Sequence, residues 1–178
     1  MKRIKKLLSK LPSEAVYDTM TSPVGLLLIF VSNKGIHSIL WEHEVDRNEC
    51  KSMLKRYRQC SKQEIIVKTK QQLKEYFAGK RKAFDIPLCL DGTPFQIKAW
   101  QELYKIPYGQ TISYGEQAAR LGNKNKARAV GLANGLNPIS IIMPCHRVIG
   151  SSGHLTGFGG GLKNKKFLLQ LEKDACHV

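Results

Sequence analysis

The 178 residues suit one or two compact domains with a sizeable core, and a hydrophobic fraction of 42% excludes wholesale disorder. The longest apolar run, Val24 to Val31, is too short to span a bilayer, and the basic start (Lys2, Arg3, Lys5, Lys6) lacks the apolar stretch of a secretory signal. A formal net charge of +15 favours polyanionic partners but carries no information about fold.

Residues 1–12 read as a basic, weakly amphipathic arm. From Ala15 to Trp41, alternating residues around Pro23-Val24-Gly25 and Ser32-Asn33-Lys34-Gly35 predict strands paired as a hairpin. Helices are expected over 46–58 and 65–78, the second stopped by Gly79. Residues 79–92, with Pro87 and an Asp91-Gly92 turn, read as a crossing strand and linker. The expected division is therefore a small α/β domain over 1–92 and a second domain over 93–178.

The second domain is rich in helix starts. Thr93-Pro94-Phe95-Gln96 offers an N-cap threonine, a proline at the first helical position and a glutamine placed for a capping box. Phe95, Ala99, Leu103 and Ile106 then share one helical face. Ser113-Tyr114-Gly115-Glu116 repeats the box for a helix ending at Gly122. A short helix over 125–134 follows the Gly-Asn turn, which makes a helix-turn-helix. Lys124, Lys126 and Arg128 sit there among the small residues Ala127, Ala129, Gly131 and Ala133. Small residues serve close packing in a core or close approach to another surface. Residues 93–178 carry 11 Lys/Arg against 4 Asp/Glu, a balance suited to phosphates.

Five cysteines (Cys50, Cys60, Cys89, Cys145, Cys176) are odd in number and scattered. That argues against a disulfide framework and for a reducing, intracellular compartment. Cys50, Cys60, His37 and His43 raise zinc, but their spacing forms no compact ligand pair, so no metal is expected.

Met143-Pro144-Cys145-His146-Arg147-Val148-Ile149-Gly150-Ser151 is the most informative stretch. A thiol reacts as its thiolate, which nearby basic groups favour. Pro144 fixes φ just before Cys145. A small buried hydrophobe is the competing reading of the cysteine. Asn137-Pro138 is open between turn chemistry and a bridging role, and Arg147 reads as a partly buried structural cation. The glycines from Gly153 to Gly161 lack the lysine and serine of a phosphate-binding loop.

Pro107-Tyr108-Gly109-Gln110-Thr111-Ile112-Ser113-Tyr114-Gly115-Glu116, Lys126 to Gly131, Asn137-Pro138 and Pro144 to Gly150 agree in order and spacing with one family. From about Thr93 to Glu172 the chain resembles the O6-alkylguanine-DNA alkyltransferases (methylated-DNA–protein-cysteine methyltransferases). The resemblance implies an α+β protein: a ribonuclease H-like first domain and a mostly helical, winged-helix-like second domain. It implies direct-reversal repair in which Cys145 accepts the alkyl group of O6-alkylguanine, or O4-alkylthymine, from a nucleotide flipped out through the minor groove. His146 would act as base through a water, Glu172 would orient it, and Tyr114 would aid extrusion and hydrogen-bond the departing guanine. Spacing alone would leave Glu172 a surface charge and Tyr114 a structural tyrosine.

The resemblance places Arg128 in the gap left by the flipped base, with Lys126, Ala127 and Gly131 at the groove. Asn137, Val148, Ser151, Phe158 and Gly159 would line the substrate pocket. The carbonyls of Cys145 and Val148 would accept from the guanine amino group, and the backbone near Gly159 would donate to O6. Phe158 stands where many relatives have tyrosine, and Ser140 where some have proline. The implied partner is double-stranded DNA carrying the lesion, met by a monomer with no cofactor, in the cytoplasm of a prokaryote or the nucleus of a eukaryote. Two other classes stay open: a non-catalytic binder of alkylated DNA, against which Cys145 speaks, and a Cys-His-Glu hydrolase, against which the helix-turn-helix and basic charge speak.

Overall fold

The computed structural model describes residues 7–44, 52 and 55–176. The chain divides into two compact units, Met1–Asp91 and Gly92–Val178.

In the first unit, β1 (Val16–Ser22), β2 (Gly25–Ser32) and β3 (Gly35–Trp41) form an antiparallel meander, and the short β4 (Arg58–Gln59) runs parallel to β1, giving the order β3-β2-β1-β4. Gly35 has a φ of 148°, and a Cβ there would come within 2.5 Å of the Pro87 carbonyl. That close approach lets the crossing segment dock: Ile36 N–H donates to Pro87 O and Cys89 N–H to Ile36 O, both at 2.8 Å. Leu27 to Val31 are all buried, so both faces of β2 are covered. On one face Leu28, Phe30 and Leu40 cluster with Leu8, flanked by Leu7, Leu11, Tyr17 and Tyr57. The end of the basic arm is thus part of the core.

The helix α1 (Glu64–Phe77) packs on this sheet, burying Ile66, Leu73 and Tyr76, and agrees with the expected 65–78. Most of the helix expected over 46–58 lies outside the described residues. Its last residues are not helical: Arg58–Gln59 is β4, drawn to the sheet edge as Cys60 N–H donates to Tyr17 O at 2.9 Å.

The second unit contains α2 (Pro94–Tyr104), β5 (Ile112–Ser113), α3 (Tyr114–Arg120), α4 (Ala127–Gly135), β6 (Val148–Ile149) and α5 (Leu162–Asp174). Both capping boxes form, at Thr93/Gln96 and Ser113/Glu116. Ala99, Leu103 and Ile106 are buried, while Phe95 in the first turn is half-buried. Gly122, at a φ of 90°, ends α3. Asn123 accepts from Asn125 N–H and winds Lys124–Lys126 into a separate 3-10 turn, so α4 starts at Ala127 rather than at 125.

A buried amide pair fixes α3 against α4: Asn134 Nδ2 donates to Gln117 Oε1 at 2.7 Å, and Gln117 Nε2 reaches Ala99 O at 2.9 Å. Trp100 Nε1 donates to Ala133 O at 2.8 Å, which ties α2 to α4. The strands β5 and β6 pair in parallel, Ile112 with Val148 and Ser113 with Ile149. The parallel register sets Cys145–Arg147, just before β6, alongside residues 109–111, and Tyr114, just after β5, alongside Gly150. Among the described residues no helix is long and apolar enough to cross a membrane.

Candidate functional site

The segment leading to Cys145 is held from within. Asn137 is buried, and its Oδ1 accepts from Ile139 N–H at 3.0 Å. Its Nδ2 donates to Met143 O at 2.8 Å and faces Cys145 Sγ at 3.2 Å. Between them the chain turns at Ile141, the one non-glycine among the described residues with a φ (75°) in the left-handed region. A β-branched residue there is strained, and full burial of Ile139, Ile141 and Ile142 holds it in place. Cys145 opens a 3-10 turn through Arg147 and is 7% exposed.

Next to it lies a buried charge cluster. His146 Nε2 is 2.7 Å from Glu172 Oε1. Arg147 donates from Nε to Glu172 Oε2 at 2.8 Å and from Nη2 to Oε1 at 3.0 Å, while its Nη1 donates to Ile106 O at 2.6 Å. Gly109 N–H donates to Glu172 Oε2 at 3.0 Å. Gly109 has a φ of 75° and its Cβ position lies 2.6 Å from Cys176 Sγ, so this site takes no larger residue without displacement. Burial raises the Glu172 carboxyl, but the hydrogen bonds from His146 and Arg147 and the Arg147 charge prevail and hold it at about 2. Burial lowers His146, against the raising effect of Glu172. A neutral imidazole beside a carboxylate carries its proton on Nε2, which leaves the Nδ1 lone pair as the base.

Tyr114 is half-buried at the start of α3, where its hydroxyl accepts from Thr156 Oγ1 at 3.4 Å. Burial raises its phenol, the Thr156 hydrogen bond lowers it, and Cys145 raises it again. The Cβ position of Gly131 lies 3.7 Å from the Tyr114 ring, an ordinary contact distance that sets α4 against the tyrosine. Phe158 meets the His146 ring edge-on at 6.3 Å between centroids. Val148 is buried, Gly159 half-buried and Ser151 exposed.

Sequence reasoning missed Lys165. Fully buried, it donates from Nζ to Val148 O at 2.6 Å and to Thr156 O at 2.8 Å, and it lies 5.8 Å from the Tyr114 ring centroid. Burial lowers its ammonium to about 8, with Cys145 acting in the opposite sense. The Val148 carbonyl assigned to guanine thus already serves Lys165, and the Cys145 carbonyl already accepts from Val148 N–H. A carbonyl has a second lone pair for a further donor.

On α4, Arg128 and Ala129 are exposed and Ala127 half-buried. Lys126 is exposed in the preceding turn, with Nζ 5.9 Å from the Phe95 ring centroid. Ala133 faces the core, so the small residues divide between packing and surface. Arg147 is more buried than the sequence implied, and it joins Ile106 to Glu172. Among the described residues no group of three or more His, Cys, Asp or Glu side chains is placed to share a metal ion; Cys50 lies outside them.

Residues 94–174 match the family description "6-O-methylguanine DNA methyltransferase, DNA binding domain", and residues 15–90 match its ribonuclease-like domain. A methylated-DNA–protein-cysteine methyltransferase of Methanosarcina acetivorans is 42% identical over 156 residues, covering 88% of this chain and 97% of that protein. The chain belongs to this family. The enzyme of the same name from Mycobacterium bovis is 61% identical over 102 residues, which are 57% of this chain; that match spans 62% of the mycobacterial protein's length. Among solved structures, Mycobacterium tuberculosis OGT in complex with DNA has a TM-score of 0.79 at 43% identity, covering 89% of this chain and 93% of that one. The α+β class and the order of the two domain types agree with these matches.

Proposed function

We propose that the chain repairs alkylated DNA by direct reversal, moving the alkyl group of O6-alkylguanine, and of O4-alkylthymine, irreversibly onto Cys145. The observation that carries this reading is Cys145, braced by Asn137, beside the buried His146–Glu172–Arg147 cluster. The DNA-binding family description over the same residues and the DNA complex of the mycobacterial relative support it.

The thiol proton passes through a water to His146, whose Nε2–H is held by Glu172. The sulfur then attacks the alkyl carbon in line. An S–C bond forms as the C–O6 bond breaks, and the electron pair leaves on the purine, where the Tyr114 phenol meets the developing negative charge. The thioether has no route back to thiol, so each molecule acts once. Chemistry at O6 requires the base to leave the duplex. Arg128 fills the vacated space, Lys126, Ala127 and Gly131 approach the minor groove, and Asn137, Val148, Ser151, Phe158 and Gly159 enclose the flipped base. Minor-groove contact reads little sequence, which suits a lesion found anywhere.

The test is stoichiometric. An excess of O6-methylguanine oligonucleotide should yield restored guanine equal to the protein added, with no further turnover. Repeated turnover, or ester hydrolysis without guanine restoration, contradicts the proposal.

A further inference from the structure

The outward side of α4 carries an apolar feature that the repair chemistry does not use. The helix buries Val130, Ala133 and Asn134 and leaves Arg128, Ala129, Leu132, Gly135 and its C-cap Leu136 exposed. Leu132 is 68% exposed and Leu136 39%. Four-residue spacing aligns Arg128, Leu132 and Leu136 along one side of the helix. One exposed leucine is ordinary; two in a line ending in a cation form a stripe of mixed character. Lys124 and Lys126 are exposed just before it, and residues 121–136 contain no acidic side chain.

We infer that Leu132 and Leu136 pack on the deoxyribose faces that wall the DNA minor groove, while Lys124 and Lys126 take the flanking phosphates. Sugar carbons offer an apolar surface bordered by negative charge, which complements leucines bordered by positive charge. A second copy of the chain fits poorly, because joining two such faces would bring two sets of Lys124, Lys126 and Arg128 into one interface with no acidic side chain from residues 121–136 to offset them. The inference rests on the proposed DNA reading and deepens it. Part of the affinity comes from apolar contact that salt does not screen, alongside the counterion release that salt does suppress.

Anisotropy of a fluorescein-labelled duplex over a salt series tests this. The double variant Leu132→Ala/Leu136→Ala should bind about tenfold more weakly at every salt concentration, with the slope of log affinity against log salt unchanged. Lys124→Ala should weaken binding and flatten that slope by about one. Val67→Ala, at an exposed apolar residue of the first unit, should change neither. Alanine is the best helix former and both leucines face outward, so the double variant keeps its fold. Unchanged affinity in the double variant, or a changed slope, overturns the inference. So does sedimentation showing a wild-type dimer that the double variant loses, since the stripe would then join two copies. Failure of the underlying repair reading looks different, for the wild-type chain would itself bind no duplex or accept no methyl group.

Discussion

Glu172 Oε1 lies 2.7 Å from His146 Nε2, while Arg147 and the Gly109 N–H hold the same carboxylate from its other sides. Glu172 therefore sets both the tautomer of His146 and the packing around the nucleophile. Glu172→Gln should slow methyl transfer at least about tenfold, within the range of general-base effects, with DNA affinity within about twofold of wild type. It should also cost stability, on the order of 3–5 kcal/mol, because Arg147 stays buried without a full counter-charge. An unchanged transfer rate would remove Glu172 from the proton path.

The same cluster predicts acid sensitivity. The Glu172 carboxyl is depressed from 4.5 to about 2, so its contribution to stability is complete above pH 4.5 and is lost as pH falls towards and through about 2. His146 is also lowered, from 6.5, so the folded state resists its protonation and loses stability as the solution is acidified below pH 6.5. Thermal melts across this range should show a steep loss in the wild type and a shallower one in Glu172→Gln between pH 4.5 and 2. Parallel curves would contradict the assignment.

Asn137 braces the nucleophile through both ends of its amide. Asn137→Ala removes the bonds to Ile139 N–H and Met143 O together with the donor facing Cys145 Sγ. A donor at sulfur stabilises the attacking anion, and a hydrogen bond to a charged group contributes roughly 1.5–3 kcal/mol. Transfer should slow about ten- to a hundredfold. Rapid-quench measurement with methylated oligonucleotide checks this, and a wild-type rate would leave the amide a purely structural role.

Arg128 is exposed on α4. Arg128→Ala should weaken repair of duplex DNA by roughly 1–3 kcal/mol while sparing reaction with a free O6-substituted guanine. Equal losses on both substrates would end its proposed role in flipping.

Local rules made much of the second unit legible. Thr93/Gln96 and Ser113/Glu116 announce two helix starts, and both boxes form. The expected start at 125 falls inside a 3-10 turn that Asn123 caps, and α4 follows it from Ala127. The Glu172 partners were not legible from spacing, since Gly109, His146 and Arg147 converge on it only after the chain has folded back. Lys165 had a usable signal: Lys165, Leu168 and Glu172 recur at i, i+3 and i+7, one face of α5, and all three are buried. A lysine on that face reads as snorkelling to solvent until the Val148 and Thr156 carbonyls are seen to receive it.

The central claim is tested most directly by intact-protein mass after incubation with an oligonucleotide containing one O6-methylguanine, run beside Cys145→Ser. The account predicts a gain of one methyl group in the wild type, located on Cys145, and none in the variant. Tight DNA binding with no gain in mass, or an equal gain in Cys145→Ser, would contradict it.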